Sequence, residues 1–379
     1  MTGPAVSVII PAYNGAALLP ATLRSLADQT LTDWEAVVVD DCSPDDGAAL
    51  VAAWPDPRVR LVRMAANGGP VRARNRGVAE ARGRHVAGLD QDDLCRPERL
   101  ARQVALLDLH PEVALLGTQV EFLAGDTIRP SGYAAATTPG LIDWLLRIEN
   151  PLAWSSIMVR GEVARALAPF TRPERLYAED FDLYHRVRAF GAVARLDEPL
   201  LLYRQHDGGV SRRFVDTMRA SAVRVLADRH APLLGEGAER AATLLVTHHM
   251  GGEPVPDRAT LAELGALFGT LQAAYLADVT PDRDTRRLVR WETARRWARL
   301  GQAGLRAGTL TLGDVLAVRP AHLGLGYAGA DTLAMAGLVG GGRRAGRGAG
   351  RKADRLAACR RRRQATMLPR HSAEKHGDD

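Results

Sequence analysis

Residues 6–41 read VSVIIPAYNGAALLPATLRSLADQTLTDWEAVVVDD. The apolar run at 6–10 is bounded by prolines and is typical of a short buried strand. Four leucines of the next segment share one helical face: Leu18, Leu19, Leu23 and Leu26. A second strand is predicted at 35–40, EAVVVD, around an apolar centre. This strand–helix–strand order predicts two parallel strands joined by a helix that covers one face of a sheet.

The alternation continues towards residue 89. We predict a helix at 46–53, a strand at 59–64, a helix at 69–83 that ends at Gly83, and a strand at 85–89. Repeated strand–helix order predicts an α/β fold, with a Rossmann-like, mostly parallel sheet that is flanked by helices.

The pattern changes after residue 112. We expect a pair of strands within 113–123, a strand at 155–160, helices at 161–168 and 177–191, and a strand at 193–206. From about residue 212 the chain is rich in Ala, Leu and Arg, and we predict a mainly helical C-terminal extension. The predicted divisions are a catalytic domain at 1–211, a helical region at 212–342 and a basic tail at 343–379.

The composition limits the classes of protein to which the chain can belong. The chain has 379 residues, of which 46% are hydrophobic and 25% charged, so a sizeable globular core is expected. The three cysteines lie far apart without CxxC spacing, which argues against a disulfide framework or a zinc site. We see neither a signal peptide nor about 18 consecutive apolar residues. We therefore expect a cytoplasmic protein, with peripheral contact at the inner membrane face as a further hypothesis.

The net charge of +6 is concentrated near the C-terminus, where residues 343–363 hold ten Arg or Lys and one acid. We interpret this block first as a solvated, disordered tail. Contact with anionic lipid headgroups is the second interpretation. No aromatic residues are interleaved to stack on bases, so no nucleic-acid partner is expected.

Polar residues recur where the predicted parallel strands end. The first strand is followed by PAYNG (11–15), the second by Asp40 and Asp41, and the fourth by DQDD (90–93). Ligands of open α/β sheets bind beyond the carboxyl ends of the strands. The three groups together predict one shared cleft.

Three carboxylates crowd into this cleft at Asp90, Asp92 and Asp93, although like charges repel one another. A solvated loop that also caps the next helix is one explanation. The other is a divalent cation, because Mg²⁺ and Mn²⁺ prefer hard oxygen ligands. We expect Asp93 to interact with the start of the helix near Pro97, and Asp90 and Asp92 to face the cleft.

Five motifs in this order and spacing, VDDCS, RARN, DQDD, AEDFDL and YRQH, resemble family 2 of the nucleotide-sugar glycosyltransferases. The resemblance covers about residues 5–210. It implies the GT-A fold and the transfer of a sugar from a nucleotide donor, usually UDP- or dTDP-linked, with inversion of the anomeric centre. The region after residue 212 has no counterpart in this resemblance.

The resemblance also assigns the donor site. It implies six nucleotide-binding residues: Pro11, Ala12, Tyr13, Asp41, Arg74 and Asp90. Asp41 would accept a hydrogen bond from the uracil ring, Tyr13 would stack on or flank the base, and Arg74 would approach the uracil or the diphosphate. Asp90 would contact the ribose or the metal. We expect at least two of Arg72, Arg74 and Arg76 to be solvated.

Asp92 would be the ligand of a Mn²⁺ or Mg²⁺ cofactor in this family, and His206 would lie near the metal or the diphosphate. A surface histidine is the alternative for His206. The ED motif corresponds to Glu179 and Asp180. Asp180 would be the catalytic base, with a pKa raised by desolvation, while Glu179 would orient the acceptor. Trp154 would line the acceptor site, with core packing as the other interpretation.

The leading hypothesis is an inverting glycosyltransferase that moves a sugar, in first place from a UDP-sugar, to a hydroxyl of a glycan or lipid-linked acceptor. The displacement would be metal-assisted. A nucleotidyltransferase is a second hypothesis, although PAYNGAALL (11–19) lacks the basic residue that its phosphate loop usually needs. A non-catalytic nucleotide-sugar-binding module is the third.

Overall fold

The computed structural model describes residues 3–206 and 213–321. The predicted basic tail at 343–379 lies outside the described residues. Within the described ranges, nine strands form a single sheet. They are β1 (Val6–Ala12), β2 (Trp34–Asp40), β3 (Val59–Arg63), β4 (His85–Gly88), β5 (Leu94–Cys95), β6 (Val113–Ala124), β7 (Thr127–Pro130), β8 (Met158–Arg160) and β9 (Ala192–Arg204).

The sheet has the strand order β3–β2–β1–β4–β8–β6–β9–β5, and β7 pairs with β6. The first four strands are mutually parallel. β8 runs antiparallel to β4 and β6, whereas β6 and β9 are parallel. The predicted Rossmann-like half therefore continues into a mixed sheet, and its carboxyl edge brings the ends of β1, β2 and β4 together.

Twelve α-helices flank or extend this sheet in the described ranges. They are α1 (Leu19–Ala27), α2 (Gly47–Ala52), α3 (Pro70–Glu80), α4 (Arg99–Leu109), α5 (Pro139–Leu145), α6 (Gly161–Ala166), α7 (Glu179–Val187), α8 (Val215–Leu234), α9 (Ala238–Leu244), α10 (Arg258–Val279), α11 (Arg283–Ala307) and α12 (Leu312–Ala317). A π-helical turn, Leu245–Met250, follows α9. No helix in the described part of the chain is long and apolar enough to cross a membrane.

Two apolar cores lie on the two faces of the sheet. Successive strand residues alternate between them: Ile9 and Val37 belong to one core, and Val8, Ile10 and Val38 to the other. Strands that are buried on both faces read as continuous apolar runs, which is why VSVII and VVV predict buried parallel strands. The α/β fold class and the helical C-terminal extension are confirmed.

Two local predictions are wrong. Residues 113–123 lie in one long strand, β6, because β9 is of similar length, 13 residues against 12, and pairs with it as far as Arg204. The helix predicted at 69–83 ends at Glu80, and Gly83 is not its cap. The Gly83 amide instead donates a 2.8 Å hydrogen bond to Ser7 Oγ in β1. In both places, contacts distant in sequence override the local pattern.

The C-terminal helices complete the larger core. Phe268 of α10 and Trp297 of α11 belong to the same apolar cluster as Ile9 of β1. A buried ion network adds to this packing, because Arg296 of α11 contacts both Glu149 and Glu292. The helical extension is thereby attached to the segment that follows α5.

Glu149 is the centre of that attachment. Its carboxylate also accepts a 2.8 Å hydrogen bond from His249 of the π-helical turn. Burial alone would raise the pKa of Glu149, but Arg296 and His249 outweigh it and hold the pKa well below its usual range. The network therefore holds a charged Glu149 next to Asn150.

We predict that Arg296→Met destabilises the fold by about 3–5 kcal/mol, because the largely buried Glu149 loses its arginine, while Glu292 retains only its contact with Arg295. Urea unfolding followed by circular dichroism measures this change. Arg290→Met is the matched control, since Arg290 is exposed on the same helix. Equal stabilities of the two variants would contradict the prediction.

Candidate active site

The loops after β1 and β4 are joined directly at the carboxyl edge of the sheet. The side chain of Gln91 accepts a 2.9 Å hydrogen bond from the Tyr13 amide and donates one of 3.0 Å to the Tyr13 carbonyl. The Tyr13 side chain is 49% exposed. It is therefore available to a planar ligand, whereas Pro11 and Ala12 are buried within β1.

Each of the three crowded acids has a different partner. Asp90 Oδ1 lies 3.0 Å from Nη2 of Arg74. Asp92 Oδ2 lies 2.7 Å from Nε2 of His206. Asp93 is almost fully buried, and its Oδ1 accepts a 2.8 Å hydrogen bond from a backbone amide at the end of β9. The predicted interaction of Asp93 with the next helix is wrong, because the return of β9 to this edge supplies a nearer donor.

The crowding has an electrostatic cost that is visible in the pKa values of these acids. Burial, followed by the charges of Asp92 and Asp90, raises the pKa of Asp93 well above its usual range. Burial and the charge of Asp90 also raise the pKa of Asp92, and the hydrogen bond with His206 only partly opposes this. A cation near Asp92 would relieve this repulsion.

Arg74 is the cationic centre of the site. It projects from α3 and contacts the carboxylates of Asp90 and Glu179, while its guanidinium lies 4.4 Å from the ring centroid of Trp154. Burial lowers the pKa of Arg74, but the neighbouring carboxylates raise this pKa by more than burial lowers it. Arg74 therefore stays charged. The neighbouring Arg72 and Arg76 are exposed, as predicted.

Asp180 lies in the first turn of α7 with two hydrogen-bond donors. Its Oδ1 accepts a 2.7 Å bond from the Phe181 amide, and its Oδ2 accepts a 3.1 Å bond from Asn150 Nδ2. Burial first, and then the charge of Glu179, raise the pKa of Asp180 to about 7, against the opposing charge of Arg74. The carboxyl group is thus able to exchange a proton near neutral pH.

Glu179 is also buried, and burial raises its pKa although Arg74 opposes the shift. One of its oxygens contacts Arg74 and the other has no hydrogen-bond partner in the described structure. Glu179 therefore orients Arg74 in this structure and has one further acceptor atom available.

The Trp154 side chain is packed inside the protein. Its side chain is only 5% exposed, with Arg74 on the ring and Phe170 in edge contact. At Gly88, the end of β4, a Cβ atom would come within 2.8 Å of this indole, so the close packing requires a glycine. In this structure the Trp154 ring packs in the core, and its contact with an acceptor stays a prediction.

Asp41 has a structural task in addition to its predicted one. Its two carboxylate oxygens each accept a 2.7 Å hydrogen bond, from the amides of Gly68 and Gly69. These bonds hold the loop that precedes α3 and hence the start of the helix that carries Arg74. Each oxygen has a second lone pair, so Asp41 remains able to accept a bond from a ligand.

The side chains of the cleft supply only some of the ligands that a hard divalent cation needs. Within residues 3–206 and 213–321, no group of three or more His, Cys, Asp or Glu side chains is arranged to hold a metal ion. Asp92 supplies a carboxylate and His206 supplies an imidazole, and the two groups are in contact with each other. Mg²⁺ is commonly bound by one or two carboxylates together with substrate phosphates and waters, and this pair fits that pattern.

Sequence reasoning missed three residues of the site: Gln91, Asn150 and Ser155. Gln91 lies inside the DQDD motif and could have been found as the amide between the acids. Ser155 accepts a 2.9 Å hydrogen bond from the Asp90 amide. Asn150 carries no motif, because only the packing of the segment after α5 against α7 brings it to Asp180.

A strand-end cleft of this kind, with acids after β2 and β4 and an ED pair at the start of α7, defines a GT-A-type α/β protein. Residues 7–158 match the model of Glycosyl transferase family 2. The amylovoran biosynthesis glycosyltransferase AmsE of Erwinia amylovora is 31% identical over 214 residues, which cover 55% of this chain and 79% of AmsE. The chain belongs to Glycosyl transferase family 2.

Two further similarities bear on the fold and on the extent of the match. The succinoglycan biosynthesis protein ExoO of Rhizobium meliloti is 44% identical over 127 residues, which cover 33% of this chain and 36% of ExoO. The matched region thus spans about a third of that relative. The crystal structure of S. aureus TarS 1–349 with UDP is similar over 80% of this chain and 91% of that 1–349 chain, with 20% identity and a TM-score of 0.50. This likeness confirms the predicted fold.

We predict that Asp180→Asn stabilises the protein above pH 7. The folded-state pKa of about 7 lies above the usual 3.8, so the wild type loses stability as pH rises from about 4 through 7. The amide does not titrate, and the gain at pH 8 should be on the order of 2 kcal/mol. Melting temperatures at pH 4.5 and pH 8 measure it, with the exposed Asp126→Asn as the control. A gain that is equal at both pH values would refute the assignment.

Proposed function

We propose that the protein is an inverting glycosyltransferase that uses Asp180 as its general base. The observation that carries this proposal is the setting of Asp180: a carboxyl group with a pKa near 7 at the start of α7, beside the ion pairs of Arg74 with Glu179 and Asp90. A general base is most effective when its pKa lies near the working pH.

The proposed reaction is a direct displacement at the anomeric carbon of the donor. The acceptor hydroxyl gives its proton to the ionised Asp180, and its oxygen forms the new bond to that carbon. The bond from the carbon to the diphosphate oxygen breaks with its electron pair, so the nucleoside diphosphate leaves and the configuration is inverted. Asn150 stabilises the ionised form of Asp180 through its amide hydrogen bond.

We further propose a nucleotide-sugar donor, with UDP as the first choice of nucleotide. The support is the family resemblance and the UDP bound in the related TarS structure. Tyr13 and Asp41 are the residues proposed to meet the base, because Tyr13 is exposed and Asp41 follows the neighbouring strand. Pro11 and Ala12 would contribute mainly backbone, since both residues are buried within β1.

Asp92 and His206 are proposed to hold Mn²⁺ or Mg²⁺. The cation supplies charge stabilisation for the departing diphosphate when it is bound. Asp90 already forms an ion pair with Arg74. We therefore propose that Asp90 holds Arg74 in position at the edge of the site and is not itself a ligand of the cation.

The acceptor is proposed to be a hydroxyl of a growing polysaccharide or of its lipid-linked precursor. The support is the similarity to AmsE and ExoO, which are proteins of amylovoran and succinoglycan biosynthesis. A cytoplasmic position at the inner face of the membrane would be consistent with this role and remains part of the proposal.

We predict that nucleotide release from one sugar nucleotide in a donor panel requires Mn²⁺ and is reduced at least about tenfold by Asp92→Ala, through loss of a metal ligand. A coupled assay for free nucleoside diphosphate measures the release. The exposed Asp126→Ala is the matched control and should keep wild-type rates. Unchanged release after chelation would contradict the metal assignment.

Nucleotide binding without turnover of any donor would instead favour the binding-module hypothesis. The melting temperature with and without UDP and Mn²⁺ distinguishes these outcomes, because a bound ligand stabilises the folded state.

A second prediction concerns pH. With an acceptor present, transfer should rise with pH and level off above about pH 7, as Asp180 becomes ionised. Asp180→Asn should lower the rate by about 10²–10⁴-fold, which is the usual contribution of a general base. Initial rates between pH 5 and 9 at saturating substrates test this. An Asp180→Asn variant with the wild-type profile would exclude Asp180 as the base.

A further inference from the structure

Three arginines converge at the end of α7 that lies away from the candidate active site. We call Arg147, Arg188 and Arg229 the arginine cluster. Arg147 follows α5, Arg188 follows α7, and Arg229 belongs to α8. Arg147 and Arg188 share the carboxylate of Asp143. Arg229 lies in α8, which packs against α7, and the charges of Arg188 and Arg147 act on it.

The hydrogen-bonding capacity of this cluster is largely unused. Arg147 is only 9% exposed, and its Nε atom has no hydrogen-bond partner within the described ranges. Its nearest carboxylate oxygens lie at 3.7 Å and 3.9 Å, beyond normal hydrogen-bond length. Arg229 is half-buried and makes no hydrogen bond or ion pair with any residue that the structure describes. Guanidinium groups in such positions normally have acceptors.

The charges around the cluster do not balance. Asp143 and Asp278 supply two negative charges for three positive ones, and Asp278 is 67% exposed. Two histidines lie close by without adding charge. Burial, followed by the positive charge of Arg188, lowers the pKa of His185 to about 3, and burial lowers the pKa of His230 to about 4.

The arginines also repel one another. Burial lowers the pKa of Arg229, and the positive charges of Arg188 and Arg147 lower it further. The same repulsion from Arg188 acts on Arg147, where burial is again the largest cause of a lowered pKa. Repulsion among the three cations raises the free energy of the folded protein, and a bound anion would offset this repulsion.

We propose that Arg147, Arg188 and Arg229 form a binding site for a phosphate group, separate from the donor site. The planar guanidinium fork matches the geometry of phosphate oxygens and binds them in pairs. A phosphate brings enough negative charge to balance the cluster and enough oxygens to accept the unused donors.

This site would be distinct from the reaction centre. Arg188 lies eight positions beyond Asp180 along the α7 region, a separation of roughly 12 Å at the helical rise. A phosphate there would leave the base accessible. It could belong to a phosphorylated soluble molecule or to a lipid headgroup, since both present the same oxygens. The inference does not depend on the proposed transfer reaction.

The test is a titration of the full chain with inorganic phosphate at constant ionic strength, followed by the melting temperature. Arg229→Gln should need at least about tenfold more phosphate for the same rise, which corresponds to the loss of a charge-assisted contact. Arg224→Gln is the matched control, because Arg224 is exposed on the same helix. Arg229→Lys, which keeps the charge, should restore part of the response.

Saturating UDP with Mn²⁺ separates this site from the donor site. The phosphate response should persist under that condition, and Arg229→Gln without phosphate should melt no lower than the wild type because repulsion is relieved. A phosphate response that UDP abolishes, or that Arg229→Gln leaves unchanged, would overturn the proposal. The absence of any phosphate response in the wild type would overturn it as well.

A second arm identifies the source of the phosphate. Vesicles of phosphatidylcholine, alone or mixed equally with phosphatidic acid, are compared by flotation. Retention that requires phosphatidic acid and is lost in Arg229→Gln supports the site and assigns it to lipid headgroups. Equal flotation with both vesicles, together with a normal inorganic phosphate response, supports the site and assigns it to a soluble phosphate.

Discussion

The ion pairs of Arg74 with Asp90 and Glu179 are the constraint on which the site depends. They join α3, the loop after β4 and the first turn of α7, three elements far apart in sequence. Because Arg74 is buried, its charge needs these carboxylates, and they need it equally. The same guanidinium packs on Trp154, which lies against Gly88 at the end of β4. Charge pairing and core packing therefore position the same group.

The environment of Asp180 follows from this arrangement. Arg74 contacts Glu179 directly, whereas it acts on Asp180 only through its charge at longer range. The two neighbouring acids therefore differ in how far Arg74 opposes the rise of their pKa values, with Glu179 buried and Asp180 half-buried. The C-terminal helices contribute through Glu149, which Arg296 and His249 hold in a charged state one residue before Asn150. The helical extension thus stabilises the segment from which Asn150 donates a hydrogen bond to Asp180. This contact gives the extension a structural role next to the sheet.

Much of the fold was predictable because its signals are local. The runs around Ile9 and Val38 are apolar at almost every position, which is typical of strands buried on both faces, and the acids at Asp41 and Asp90 mark the strand ends. Predictions failed where a distant partner supplied the contact. Gly83 bonds to β1 instead of capping its helix, and Asp93 bonds to the end of β9. Such partners are invisible to periodicity, which describes one element at a time.

The order of strands, helices and acidic motifs is a property of the chain itself, since periodicity and residue type act over a few neighbouring positions. That order was enough for the fold class and for the group of acids at one edge. The pairing among the charged groups came only from the packed structure: Asp90 with Arg74, Asp92 with His206, and Asp180 with Asn150. The burial of Trp154 and the convergence of Arg147, Arg188 and Arg229 have the same origin. Charge interactions depend on distance and burial in three dimensions, and spacing along the sequence determines neither.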